Sequence, residues 1–318
     1  MKKFFALLAA LIAALGLTAC GGEPPAEDGR PLVMATNFPA YDLAREACGD
    51  LARVELLLPP GTESHSYEPT PRNIIDVQNC DLFLYVGGEG DAWVDTILET
   101  LDSPVETLKL MDCVELLEEE HTEDDGHHHD HHHDHDHALG QVLEVDEHVW
   151  TSPVNAGKIA AAIAGRMGQL DSANAAAYAA NAEAFGAKIA ELDSRFREFF
   201  AGVEHPAMVF GDRFPLRYFA EEYGIHCLSA FPGCSTQTEP SAATVAFLIE
   251  EVELEGLDTV YYIEFSNHLV ADAIAEAAGV ETALFHSCHN VSQQELDAGV
   301  TYLSLMEGNL ETLQATMK

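Results

Sequence analysis

Asp81-Leu-Phe-Leu-Tyr-Val86 is an acidic residue followed by an unbroken apolar run. Alternation would mark a strand with one wet face; a continuous run of this length marks a strand buried on both faces. Such strands belong to parallel sheets covered by helices, and the flanking sequence agrees. Thr70-Pro71 opens a helix that runs to about Asn79, because proline suits the first helical turn. Residues 93–101 read as a helix and 105–110 as a strand. On the other side, residues 32–36 read as a strand, 41–48 as a helix and 54–58 as a strand, ended by the turn at Pro60-Gly61.

The pattern restarts late in the chain. Strands are predicted at 207–210, 225–230, 259–265 and 282–285, and helices at 215–223, 241–254, 267–278 and from 293 to about 316. Between the two series lie a helix over 155–167 and a longer one from about 173 to 200. Asp171 or Ser172 can cap the longer helix, which has no proline and one glycine, Gly186. At 1.5 Å per residue it would be on the order of 40 Å long, enough for a strut between two lobes. With 318 residues the chain is too long for one ordinary core. The fold class expected is α/β, with two lobes over residues 31–170 and 202–318. Each has a mostly parallel sheet flanked by helices, and one long rigid helix over 171–201 joins them. Ligands of open α/β sheets bind beyond the carboxyl ends of the strands, so two such lobes would form a cleft.

The N-terminus reads as an export signal. Lys2 and Lys3 precede an apolar run over residues 4–17, too short for a comfortable membrane span. Leu17-Thr18-Ala19-Cys20 has the form of a lipobox, which implies a signal peptide over 1–19 and lipid on Cys20. The Gly- and Pro-containing stretch 20–30 would be a flexible tether. The expected location is therefore extracytoplasmic, at a bacterial cell membrane. A net charge of −39 argues against nucleic acid and against direct adhesion to anionic lipid. A monomer is expected. The cysteines other than Cys20 (48, 80, 113, 227, 234 and 288) form no CxxC pair, and zinc-ribbon spacing is absent.

Histidine carries the chemistry. Gly126 to His137 reads GHHHDHHHDHDH, and His121 lies just upstream. Neutral imidazole suits zinc, copper and nickel, so this stretch points to a transition metal. It sits in an acidic insertion, residues 118–139, expected to be a loop without fixed structure that holds a weaker, auxiliary set of sites. Those sites are His121, His127, His128, His129, His131, His132, His133, His135 and His137. Elsewhere, His65 lies in Gly61-Thr-Glu-Ser-His-Ser-Tyr-Glu-Pro, a loop beyond a strand. His148 lies in Asp146-Glu-His-Val-Trp150, where a neighbouring carboxylate could accept the other ring N–H and orient the ring. His286 and His289, in Phe285-His-Ser-Cys-His-Asn290, follow the last strand. They could bind one ion together, or one could ligate while the other is structural. Glu264 and Asp212, both at predicted strand ends, are carboxylate candidates. His205, His226 and His268 read as surface or packing residues.

GTESHSYEPTPRNI, DEHVW followed by Ser-Pro, EPSAATVAFLIEEVE and YYIE resemble the zinc/manganese class of solute-binding lipoproteins of bacterial ABC importers. The resemblance runs from about residue 31 to 318. It implies two α/β lobes joined by a long helix, with a metal held between them, and it matches His65 and His148 to the first two ligands. The family's next ligand lies in His-Asp-Ala-Phe-Gly-Tyr, whereas this chain has Gly211-Asp-Arg-Phe-Pro-Leu-Arg-Tyr218. The family's last ligand is acidic, and His286 falls at its place. The resemblance implies capture of Zn²⁺ and its delivery to a membrane permease powered by an ATPase. The alternatives are a manganese-binding homologue, a metal-dependent adhesin or a metal buffer. A secreted zinc hydrolase is the enzymatic rival, but HExxH and GxSxG are both absent.

Overall fold

In a computed structural model, residues 29–118, 145–232 and 240–317 of the protein are described. The run after Asp81 supplies β3 (Leu82–Tyr85), with Leu82, Phe83 and Leu84 fully buried. It pairs in parallel with β1 (Leu32–Ala35) and β4 (Thr107–Lys109), and β2 (Arg53–Leu56) pairs with β1. The second sheet comprises β5 (Ala207–Phe214), β6 (His226–Pro232), β7 (Thr259–Tyr262) and β8 (Glu281–Leu284), again all parallel. Strand orders β2-β1-β3-β4 and β6-β5-β7-β8 are the same topology used twice.

The helices of the first half are α1 (Phe38–Cys48), α2 (Pro71–Gln78), α3 (Ala92–Thr100) and α4 (Pro153–Leu170). Asn37 caps α1 by accepting the Ala40 N–H, and Pro39 sits in its first turn, so α1 begins earlier than the predicted residue 41. At α2, Thr70 and Asn73 form a reciprocal capping box ahead of Pro71. Helix α5 (Ala175–Phe200) has Asn174 at its cap position. Asp171 instead accepts bonds from the Asn174 side chain and the Tyr178 hydroxyl.

Around the second sheet lie α6 (Arg217–Tyr223), α7 (Ala242–Leu254), α8 (Leu269–Ala278), α9 (Gln293–Asp297) and α10 (Tyr302–Thr316). The single closing helix expected from 293 is thus two. Gly299, at φ 76°, turns the chain, and a fresh capping box at Thr301 starts α10.

One continuous core runs through both halves. Helix α5 contributes Tyr178, Ala182, Phe185, Ile189, Leu192, Phe196 and Phe200 to it, a stripe at three- and four-residue spacing. Near its start Asn181 donates to the Ala47 carbonyl of α1; near its end Phe196 and Phe200 pack on Phe219 and Tyr223 of α6. Each buried ring is worth roughly 1.5–3 kcal/mol of transfer free energy. Outer helices cover the opposite sheet faces through separate clusters, around Phe83 and Trp93 in the first half and around Val260 and Ile274 in the second.

Cys48, Cys80, Cys113 and Cys288 are free thiols. Among the described residues no helix is long and apolar enough to cross a membrane. Cys20, Cys234, the signal segment and every histidine from His121 to His137 lie outside the described residues.

Candidate metal centre

His148 begins a 3-10 turn, Val149–Thr151, and is almost fully buried. Asp146, buried beside it, accepts both the His148 main-chain N–H (2.7 Å) and a bond at Nδ1 (3.1 Å). That fixes the ring and leaves Nε2 for the cleft that His148 lines. Burial disfavours the charged ring, yet the Asp146 carboxylate outweighs it and holds the pKa above the ordinary histidine value.

Glu147, next in sequence, turns the other way. Its Oε2 accepts the Gly90 N–H at 2.8 Å, and its Oε1 lies 3.3 Å from His65 Nε2. The loop after β3 makes room for it. A Cβ on Gly88 would lie 2.3 Å from one Glu147 oxygen, and a Cβ on Gly90 2.3 Å from the other. Gly88 also has φ 78°, a conformation that favours glycine. Burial raises the Glu147 pKa, but the bond to His65 and the nearby imidazoles reverse this and leave it below the usual value.

His65 comes from the long loop after β2. Its Nδ1 lies 2.9 Å from Glu63 Oε1, and Glu63 Oε2 pairs at 3.2 Å with Arg213 of β5, in the other half. The bond to His65 is the main reason the Glu63 carboxyl is held well below the usual carboxylate range.

The loop after β8 carries the remaining candidates. Glu264 accepts from Ser287 N–H (2.8 Å), Ser287 Oγ (2.6 Å) and His289 N–H (3.2 Å), which pins this loop by its backbone. Cys288 between them adopts φ 60°, strained for a residue with a side chain, and so sends its two histidine neighbours apart. His286 is buried away from the cleft lining; its Nδ1 accepts the Cys288 N–H, and Asn309 holds its main chain. His289 turns into the cleft. Its ring stacks on Trp150 (centroids 5.4 Å apart, 28°), and its Nε2 lies 3.1 Å from Ser64 Oγ. Desolvation, reinforced by His148, pushes its pKa down to about 4, so it is neutral at pH 7. The Trp150 indole N–H donates to the Ser287 carbonyl and ties this loop to the first half.

His65, His148, His289 and Glu264 therefore line one cleft of about 260 Å³. The His289 ring centroid is 6.2 Å from that of His65 and 6.1 Å from that of His148. Two imidazoles on one tetrahedral zinc have centroids about 5 Å apart, given Zn–N bonds of about 2.0–2.1 Å. The rings need to draw in by about 1 Å to share an ion. Among the described residues, no three His, Cys, Asp or Glu side chains already converge as a finished site. Imidazoles with a carboxylate nearby are a donor set suited to zinc.

Asp212 does not join this group. It accepts the Arg213 and Ile263 N–H groups and lines an adjoining cavity. A side chain at position 211, where the family resemblance expects a histidine, has no space, since a Cβ on Gly211 would lie 2.2 Å from Ala271 Cα. His205 and His226 are exposed, as is His268, which pairs with Asp272. Sequence reasoning missed Glu63, Arg213 and the direction of Glu147. Glu63 was findable from its place two residues before His65.

The chain matches the family described as zinc-uptake complex component A, periplasmic, over residues 33–316. The zinc-binding lipoprotein AdcA of Streptococcus pneumoniae R6 is 33% identical over 99% of this chain, which spans 61% of that protein's length. The high-affinity zinc uptake system protein ZnuA of Bacillus subtilis is 30% identical, over 96% of this chain and 94% of its own length. Among solved structures, the Zn(II)-bound ZnuA-like domain of Streptococcus pneumoniae AdcA is similar, with a TM-score of 0.72 and 29% identity over 91% of this chain and 99% of that one. With the same two-sheet fold and a histidine-lined cleft between its halves, the chain belongs to the zinc-uptake complex component A family.

Proposed function

We propose that this protein is the extracytoplasmic binding component of an ABC importer, anchored by lipid on Cys20, and that it captures Zn²⁺ for a membrane permease served by an ATPase. The observation that carries the reading is the meeting of His65, His148 and His289 in one cleft, with Asp146 and Glu147 each against one ring. Neutral imidazoles favour zinc over manganese, which prefers more oxygen ligands. The zinc-binding names of relatives across nearly the whole chain support the same metal. Residues 118–139 would add weaker sites that collect the metal. The long helix α5 would hold the two halves in register while loops adjust.

The test is elemental analysis with competition titration on the full chain and on a variant lacking residues 118–139. One tight zinc site should survive the deletion. Its loss on deletion would place the site outside the cleft. Hydrolysis assays on the zinc-loaded protein should show no turnover.

A further inference from the structure

We propose that Asn290 is a positioning residue that latches the cleft: its carboxamide ties the loop carrying His65 to the loop carrying His289, and its release lets a captured ion leave. This rests on the zinc-binding reading of the cleft. Asn290 directly follows His289 in the loop after β8, and Gly61 and Thr62 lie just ahead of His65 in the loop after β2. The Gly61 N–H donates to Asn290 Oδ1 at 3.0 Å, and Asn290 Nδ2 donates to the Thr62 carbonyl at 2.7 Å. The Val291 N–H donates to the same Oδ1 at 2.8 Å. N–H groups at one end of the amide and a carbonyl at the other fix which end carries the oxygen.

The facing turn is itself held. The Thr62 N–H donates to the Pro59 carbonyl, and Gly61 turns at φ 76°, a conformation that favours glycine. Successive residues thus offer an N–H and a carbonyl to one side chain. Phe265, from the loop after β7, lies beside this turn, where an added Cβ on Gly61 would come within 3.9 Å of its ring. Asn290 lines the cleft, but its oxygen already accepts two N–H groups, so it holds the loops and leaves the ion to the histidines. An ion that needs ligands from both loops binds only while they are together. Loss of the latch lowers the share of molecules ready to bind, and apparent affinity falls by that factor. Binding in turn tightens the latch, because coupling is reciprocal. The latch is uncharged, so unlike Arg213–Glu63 it is indifferent to salt.

The experiment is stopped-flow release of zinc from the full chain into excess chelator, with competition titration alongside, for the unmutated chain, N290A and N290D at low and high salt. N290A should release zinc about tenfold faster and bind it correspondingly more weakly at both salt concentrations, the loss expected for two partly exposed hydrogen bonds. N290D keeps an acceptor for Gly61 but sets a carboxylate oxygen against the Thr62 carbonyl, and should do no better than N290A. Release from a folded N290A at the unmutated rate overturns the latch while leaving zinc capture intact. An unmutated chain without a tight zinc site overturns both. If N290A fails to fold, amide exchange of the unmutated chain decides. The Gly61 N–H should exchange at least about tenfold more slowly with zinc bound, and equal rates with and without zinc overturn the proposal.

Discussion

In the first half of the molecule, His148 and His65 each meet a buried carboxylate at a ring nitrogen, Asp146 at 3.1 Å and Glu147 at 3.3 Å. In the second half, His289 is held by its backbone, through Glu264, while its ring rests on Trp150 and Ser64 of the first half. The strand orders are the same; the preparation of the histidines is not. The first half offers rings already oriented, and the second offers a pinned loop whose ring takes its orientation from across the cleft.

The strongest way to break this comparison is to remove a ring from each half. Structural zinc binding of roughly 10–16 kcal/mol shared among four ligands is about 3 kcal/mol each. H148A and H289A should therefore each lose about a hundredfold in zinc affinity by competition titration. An effect confined to H148A would make the second half a bystander.

A second test probes how the halves are joined. Asp42 of α1 accepts the Tyr302 N–H of α10 at 2.7 Å, and burial pushes its pKa up to about 6. The folded chain thus keeps this proton at pH values where the unfolded chain has lost it. The associated stability is full below about pH 4 and is lost as pH rises through about 6, up to about 3 kcal/mol. Urea titrations from pH 4 to 7 should show D42N without that share of the slope; identical slopes would remove Asp42 from the account.

D146N should cost about tenfold in zinc affinity, because the His148 ring loses its charged partner. The cross-half pair Arg213–Glu63 is partly exposed and should be worth less than about 1 kcal/mol. R213A should weaken zinc binding by up to about fivefold at low salt and less at high salt. The smallest effect belongs to His286. H286A should change zinc affinity by less than about twofold, since its ring lies off the cleft; a loss comparable to H289A would reverse the assignment within this loop.

Much of the fold was legible because continuous apolar runs such as the one after Asp81 admit few other readings. Errors arose where local pattern yields to pairing or to a turn. Strand β5 continues to Phe214 because a register shift between Phe210 and Arg213 lets Arg213 and Phe214 pair with Phe231 and Pro232 of β6. The closing helix breaks at Gly299, which periodicity alone passes over. In the site, His65, His148 and His289 could be named because they lie in loops at the cleft. The different fates of His286 and His289 turn on the left-handed Cys288, and the direction of Glu147 turns on glycines some 57 positions away. Neither has a local signature.

The bond between Tyr302 and Asp42 spans 260 positions, and the Tyr302 hydroxyl also reaches the Trp150 carbonyl. So distant a closure is entropically late, and folding of this chain should be completed by the docking of α10. Until those last turns arrive, the aromatic layer around Trp150 lacks its lid. Undocked, Trp150 and Tyr302, both buried in the folded chain, would be exposed apolar surface of the kind that drives aggregation, so this one closure also guards solubility during folding.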